Sequence, residues 1–253
     1  MGAHRFSGLD GVQLAWTETG FGRTVIFLPG FGGVGSRFLE RDPVRTLAEH
    51  GYRVVLPDSR GCGDSGRPED PNGYPLDVLA DDGFALLRHL GLGDGDYDLA
   101  GYSLGARIVV RMLARGANPG HAIVAGQGLA KVTGPQGGGT NHRVLTALVN
   151  GDAIEPESAD ARIAHALSSG GADPRALLYL LNSLVPTSVD ALTQIAAPTL
   201  VAIGDRDERS DADQLASLLQ NGRFVRVPGD HGSALLAPEL ATAIVEFLAY
   251  GDL

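Results

Sequence analysis

The chain has 253 residues, enough for one large domain with a single sizeable core, or for one domain carrying an insertion. Its hydrophobic share of 43% and charged share of 20% are those of an ordinary soluble globular protein, and a formal net charge of -10 with no concentrated basic run argues against a nucleic-acid or anionic-membrane partner. Cys62 stands alone, which excludes an intrachain disulfide and fits a reducing compartment; residues 1–10 lack an apolar signal core and no stretch approaches the roughly 18 apolar residues of a membrane span, so the expectation is a cytoplasmic protein.

Val12 to Thr19 alternates apolar and polar residues, with Val12, Leu14 and Trp16 on one face, and predicts a strand at a sheet edge with one wet side. Thr24 to Leu28 is a continuous apolar run, the pattern of a strand covered on both faces. Asp42-Pro43 supplies a helix start and Gly51 a stop, and Arg53 to Leu56 is the next buried strand. Pro75 to Leu90 reads as an amphipathic helix, with Leu76, Leu79, Ala80, Leu86, Leu87 and Leu90 on or near one face. Tyr97 to Ala100 then leads into a glycine-flanked pentapeptide and a helical pattern carried by Ile108, Val109, Met112 and Leu113, followed by a strand at Ala122 to Ala125. From about Gln127 to Gln194 the alternation lapses. This stretch opens on a loose glycine-rich run over 134–139, gives helix-like segments near 141–150, 157–168 and 174–184, and shows no strand pattern. Alternation resumes with a strand at Pro198 to Ile203, a helix at Asp211 to Leu219, a strand at Phe224 to Val227 and a final helix at Pro238 to Tyr250. Strands alternating with helices predict a mostly parallel, doubly wound sheet carrying a helical insertion.

The pentapeptide is Gly101-Tyr102-Ser103-Leu104-Gly105. A strand turning sharply into a helix with Ser at the apex is a nucleophile elbow, which holds the serine hydroxyl clear of the sheet beside the first amides of the helix. The glycines are required because a Cβ at 101 or 105 would meet the neighbouring chain. A competing motif is Gly30-Phe31-Gly32-Gly33-Val34-Gly35, which fits a dinucleotide-binding glycine pattern, with Asp58 where a ribose-binding acid would sit. The loop from there to the helix start at Asp42-Pro43 is too long for a glycine turn that runs directly into its helix. Lys131, the only lysine, has no Tyr four residues before it, which excludes a Tyr-x-x-x-Lys reductase site.

Four motifs in order carry a resemblance. They are Leu28-Pro29-Gly30-Phe31-Gly32-Gly33, the turn Asp58 to Ser65, the elbow, and two late strand ends, Gly204-Asp205-Arg206-Asp207 and Gly229-Asp230-His231-Gly232. Together they resemble the α/β-hydrolase superfamily in its capped, serine-esterase-like form. The resemblance implies a doubly wound, mostly parallel eight-stranded sheet with a short helical cap inserted after the sixth strand. The core would span 1–126 and 195–253, and the cap 127–194. It further implies Ser103 as nucleophile, His231 as base and Asp207 as the acid that orients the imidazole, with the backbone N–H groups of Phe31 and Leu104 forming the oxyanion hole. Asp205 is expected to cap its turn instead, and the Asp58 to Ser65 turn to brace a loop. One departure is Pro29, where relatives commonly carry His.

Ser at the elbow implies hydrolysis of an ester, lactone or thioester of a small, apolar substrate through an acyl-enzyme, with no cofactor and no metal. Tyr102, Arg107 and Tyr179 are the candidate substrate contacts. The expected partner is a small molecule alone, with neither nucleic acid nor membrane, for a monomer or homodimer. Two alternatives stay open. Tyr102-Ser103-Leu104-Gly105-Ala106-Arg107 resembles the elbow of same-fold lyases in which the Arg binds a substrate carboxylate, and some members of the superfamily bind a ligand under the cap without turning it over.

Overall fold

A computed structural model describes residues 3–134, 139–169 and 172–250; Pro135 to Gly138, most of the loose run expected at 134–139, lie outside the described residues. In chain order the elements are β1 (His4–Ser7), β2 (Gln13–Thr19), β3 (Arg23–Leu28), α1 (Val44–Glu49), β4 (Tyr52–Pro57), α2 (Val78–His89), β5 (Tyr97–Tyr102), α3 (Leu104–Ala114) and β6 (Ala122–Ala125). Then follow α4 (Leu129–Thr133), α5 (Thr140–Asn150), α6 (Ala159–Ser169), α7 (Pro174–Ser183), α8 (Val189–Leu192), β7 (Thr199–Gly204), α9 (Ala212–Leu218), β8 (Gly222–Val227) and α10 (Pro238–Tyr250).

The eight strands form one open sheet in the order β1-β2-β4-β3-β5-β6-β7-β8. The pairs β1–β2 and β2–β4 are antiparallel and all others are parallel. Successive residues of the central strands fall on opposite faces, as the two-residue period of a strand demands. Val25 and Phe27 of β3 pack with Val44 and Leu47 of α1 and Leu240 and Ile244 of α10. Ile26 and Leu28 pack with α2, α3 and α9 on the other face. Both faces are therefore covered, and the apolar runs of β3, β5, β6 and β7 are the sequence mark of that burial.

Two sequence expectations change. β2 is not an edge strand: it lies between β1 and β4, and Leu14, Ala15, Trp16 and Thr17 are all buried, so both faces are dry. The edge is β1, a strand that residue patterning missed because three of its four residues are exposed. Leu76 is 71% exposed and outside its expected helix, because Asp77 takes a left-handed φ of 69° and α2 begins only at Val78. Between β6 and β7 no strand occurs among the described residues, and α4 and α8, one of five residues and one of four, are too short to show a period.

The backbones of α3 and β3 approach each other closely. A Cβ on Gly105 would stand 1.9 Å from the Leu28 carbonyl oxygen, and one on Gly101 would stand 2.4 Å from the Gly105 carbonyl carbon. Gly105→Ala is therefore expected to lose on the order of 3 kcal/mol in urea unfolding, since backbone must move to admit the methyl group. Gly51→Ala, where φ is 82° but no atom lies within 4 Å, should lose only about 1 to 2 kcal/mol. A loss at Gly105→Ala no larger than that at Gly51→Ala would show that the helix–strand approach does not require glycine at 105.

Candidate active site

Ser103 sits between β5 and α3 with φ 53° and ψ -117°, a strained conformation for a residue with a Cβ. Its amide donates to the Ala125 carbonyl (2.8 Å), and its carbonyl accepts from the Arg107 amide (3.1 Å) and from Gln127 Nε2 (2.7 Å). The serine backbone is thus tied to β6, to α3 and to the segment after β6. The side chain projects past the ends of the parallel strands, where the loops after β7 and β8 meet it.

Those loops bring the expected partners together. His231 Nε2 lies 2.9 Å from Ser103 Oγ, and His231 Nδ1 lies 2.7 Å from Asp207 Oδ2. Asp207 has no accessible side-chain surface. Its other oxygen, Oδ1, accepts from the backbone amide of Arg209 (3.1 Å) and from Arg209 Nη1 (2.9 Å). Burial pushes the Asp207 carboxyl up, but the hydrogen bonds from His231 and Arg209 outweigh it and hold the group below its ordinary 3.8. With Asp207 ionised, Nδ1 carries the proton and Nε2 is free to accept from the serine hydroxyl. The neighbouring acids take other work. Asp205 Oδ1 accepts from the Gly229 amide (2.8 Å), and Asp230 Oδ1 accepts from the Gly232 and Ser233 amides (3.0 and 2.9 Å), closing the turn that carries His231.

Phe31 and Leu104 line the same cavity as Ser103. The Phe31 loop is a tight turn closed by the Gly33 amide on the Gly30 carbonyl (2.9 Å), with Gly32 at φ 68° in the position that requires it. A turn of this kind leaves the amide of its second residue, Phe31, pointing outward. Leu104 is the first residue of α3, where the helix has no acceptor for its amide. Among the described residues neither amide has a protein acceptor.

The cavity over Ser103 measures about 340 Å³. Its wall is more polar than the leucine-rich insertion suggested. Gln127, Thr140, Asn141 and His142 contribute to it, with Lys131, Arg107 and Arg209 as cations and Glu208 as the acid. Of the leucines in the segment between β6 and β7, Leu181 and Leu184 reach the cavity, whereas Leu145 and Leu177 are buried in the core. Arg107 is buried, and burial pushes its guanidinium down to about 10, which leaves it charged at neutral pH. It donates to the carbonyls of Lys131 and Gly134 at the end of α4 and, among the described residues, pairs with no carboxylate. Tyr102 and Tyr179 lie elsewhere. The Tyr102 hydroxyl donates to the His231 carbonyl (2.6 Å) with the two rings 5.5 Å apart, and Tyr179 packs on Tyr74 at 5.4 Å. Two residues of the site escaped sequence reading, Gln127 and Arg209. Arg209 is two residues beyond the acid, but nothing in Asp207-Glu208-Arg209 distinguishes a bonded arginine from a solvated one.

The turn after β4 braces this side of the site. Asp58 accepts from the amides of Gly35 (2.7 Å) and Asp64 (2.8 Å), and the buried Arg60 pairs with Asp82 (2.6 Å) and with Asp10. Cys62 is buried within it, and burial pushes its thiol up to about 11. Among the described residues no group of three or more His, Cys, Asp or Glu side chains is placed to hold a metal ion, and no helix is long and apolar enough to cross a membrane.

An open, mostly parallel sheet with a strained serine at the strand-to-helix turn, met by His and Asp from later strand ends, defines the α/β-hydrolase class. The family described as alpha/beta hydrolase fold matches residues 23–125. The chain has the α/β-hydrolase fold, and the family match covers its first half without reaching the later strands. It is 35% identical over 112 residues to the AB hydrolase superfamily protein YisY of Bacillus subtilis, covering 44% of this chain and 40% of that one. It is 34% identical over 106 residues to the non-heme chloroperoxidase CPO-A1 of Kitasatospora aureofaciens, covering 42% and 36%. These matches thus span less than half of the relatives' own lengths. Among solved structures, an esterase from Exiguobacterium antarcticum superposes with a TM-score of 0.78 at 23% identity, covering 98% of this chain and 100% of that one. A bromoperoxidase from Bacillus anthracis gives 0.76 at 22% identity with the same coverage.

The depressed value of Asp207 makes a prediction about stability. The folded state binds that proton less tightly than the unfolded chain does, so the stability it contributes is full above pH 3.8 and is lost as pH falls through the lower folded value. Asp207→Asn should therefore lose stability less steeply than the wild type below that pH in acid-titrated urea unfolding. Superimposable acid limbs would show that the hydrogen bonds do not favour the ionised carboxylate.

Proposed function

We propose that the chain is a cofactor-free serine hydrolase acting on an ester, lactone or thioester of a small acid, with residues 127–194 serving as its cap. The observation that carries this reading is the continuous hydrogen-bonded line from Ser103 Oγ through His231 to a fully buried Asp207. Ser103 Oγ attacks the acyl carbonyl as its proton passes to His231 Nε2, and the Phe31 and Leu104 amides receive the developing oxyanion. The bond to the leaving oxygen or sulfur breaks as His231 returns the proton to it. Water, deprotonated in turn by His231, then cleaves the acyl-enzyme and Ser103 recovers its proton. Asp207 stays ionised throughout and stabilises the imidazolium. The superfamily includes relatives named as epoxide hydrolases and haloperoxidases, and structural neighbours named as esterases. A serine at the elbow favours the esterase among these, because it can carry an acyl group.

Intact mass after treatment with a small alkyl fluorophosphonate tests the reading. The wild type should gain one adduct and Ser103→Ala none, while His231→Ala should label at least about 10³-fold more slowly. An unlabelled wild type, or a labelled Ser103→Ala, would exclude it.

A second reading rests on the polar wall. Arg107 is a charged, buried group without a carboxylate partner at the cavity, and elimination from a carboxylate-bearing substrate would use it. Its bonds to two backbone carbonyls give it a sufficient structural role and place this reading second. Under it, malonate should inhibit fluorophosphonate labelling of the wild type, and Arg107→Lys should weaken that inhibition about tenfold. Malonate without effect on the wild type would dismiss it.

A further inference from the structure

We infer that Arg209 is a positioning residue for the base, acting on His231 through Asp207. The inference rests on the reading of Ser103, His231 and Asp207 as the reacting line.

A carboxylate bonded only through Oδ2 to an imidazole is free to swing about its own Cβ–Cγ bond, and the hydrogen bond that orients the imidazole swings with it. In this chain Oδ1 is held by two donors from one residue, the Arg209 amide at 3.1 Å and Arg209 Nη1 at 2.9 Å. The amide follows from the turn itself and would survive any substitution. The guanidinium does not, and it supplies the charge-assisted bond, which is the stronger kind. Arg209 is itself only 16% exposed and faces a carboxylate with no accessible surface, so little solvent screens the pair. Oδ2 is thereby fixed at 2.7 Å from His231 Nδ1.

The second consequence is electrostatic. Asp207 favours the protonated imidazole, and a guanidinium on the far oxygen offsets part of that pull. The other groups facing His231 do not duplicate this. Tyr102 stands beside the imidazole as a neutral phenol, kept neutral by burial. Glu208 lines the cavity with Arg209, Asp230 is spent on its own turn, and Arg206 pairs with Asp205 at the surface. Removing the Arg209 charge leaves the Asp207 carboxylate uncompensated beside the imidazole, so the acidic limb of reactivity should move upward.

Arg209 also lines the cavity, so a substrate could touch it, and the test must exclude that route. A small alkyl fluorophosphonate reacts at Ser103 and reports the base without a specific substrate. Its inactivation rate constant is measured across pH for the wild type, Arg209→Gln and Arg209→Lys, with circular dichroism and thermal unfolding on each. In Arg209→Gln the plateau rate should fall about 10- to 100-fold, the cost of a misplaced base, and the acidic limb should rise by on the order of half a pH unit. Arg209→Lys keeps the charge without the planar fork, so its limb should return to the wild-type position while its plateau stays low. A folded Arg209→Gln with wild-type plateau and limb would overturn the inference, as would equal plateau losses in both variants with neither limb moved. If Arg209→Gln does not fold, Arg209→Met takes its place under the same criteria for plateau and limb. Failure of the wild type to label would instead remove the serine-hydrolase reading beneath it.

Discussion

The close approach of α3 to the Leu28 carbonyl is the constraint from which the rest of the site follows. With glycine at 101 and 105 the helix can start immediately over β3 and β5, and the one residue between strand and helix must then take a positive φ. That residue is Ser103. Its strain is sustained because its amide and carbonyl are both bonded, to Ala125, Arg107 and Gln127, and because the strands on either side are buried on both faces. The reward is a hydroxyl presented at the sheet's edge with a free helix amide beside it.

Around that point the structure uses charge sparingly. The Asp207 side chain has no accessible surface, and it is ionised because three hydrogen bonds replace the water it lost. Arg60 plays a comparable part on the other side of the site, where Asp10 and Asp82 hold its buried guanidinium beneath the turn that braces the Phe31 loop through Asp58. In both places the ionic contacts orient backbone segments that would otherwise be loops with few restraints. Neither acts alone, since each arginine is also bonded at, or close to, a turn.

The helices between β6 and β7 meet Ser103 from outside the sheet. Their leucines serve chiefly to attach them: Leu145 and Leu177 are buried in the core, and α7 reaches α2. What remains for the cavity is the polar side of α5, two leucines from the end of α7, and the cations of α3, α4 and the loop after β7. A chain with a formal net charge of -10 thus lines its candidate site with Arg107, Lys131 and Arg209, the last paired with Asp207, and with the acid Glu208.

How far the sequence reaches follows from how local each feature is. The buried strands, the elbow and the order Ser103, Asp207, His231 were legible, because apolar runs and glycine requirements are properties of neighbouring residues. The edge strand β1 was not, since an exposed strand carries no apolar period, and β2 was misread as an edge because Ala15 and Thr17 are small or polar despite being buried. The partners of individual side chains were also beyond reach. Gln127 on the Ser103 carbonyl, Tyr102 on the His231 carbonyl and Arg209 on Asp207 depend on loops from different strands arriving at one place. Local sequence determines where the chain can be extended, helical or strained, because those preferences are settled within a few residues. Which polar groups are left to meet across the sheet's edge is decided only when the strands pair and bring distant loops within hydrogen-bonding range.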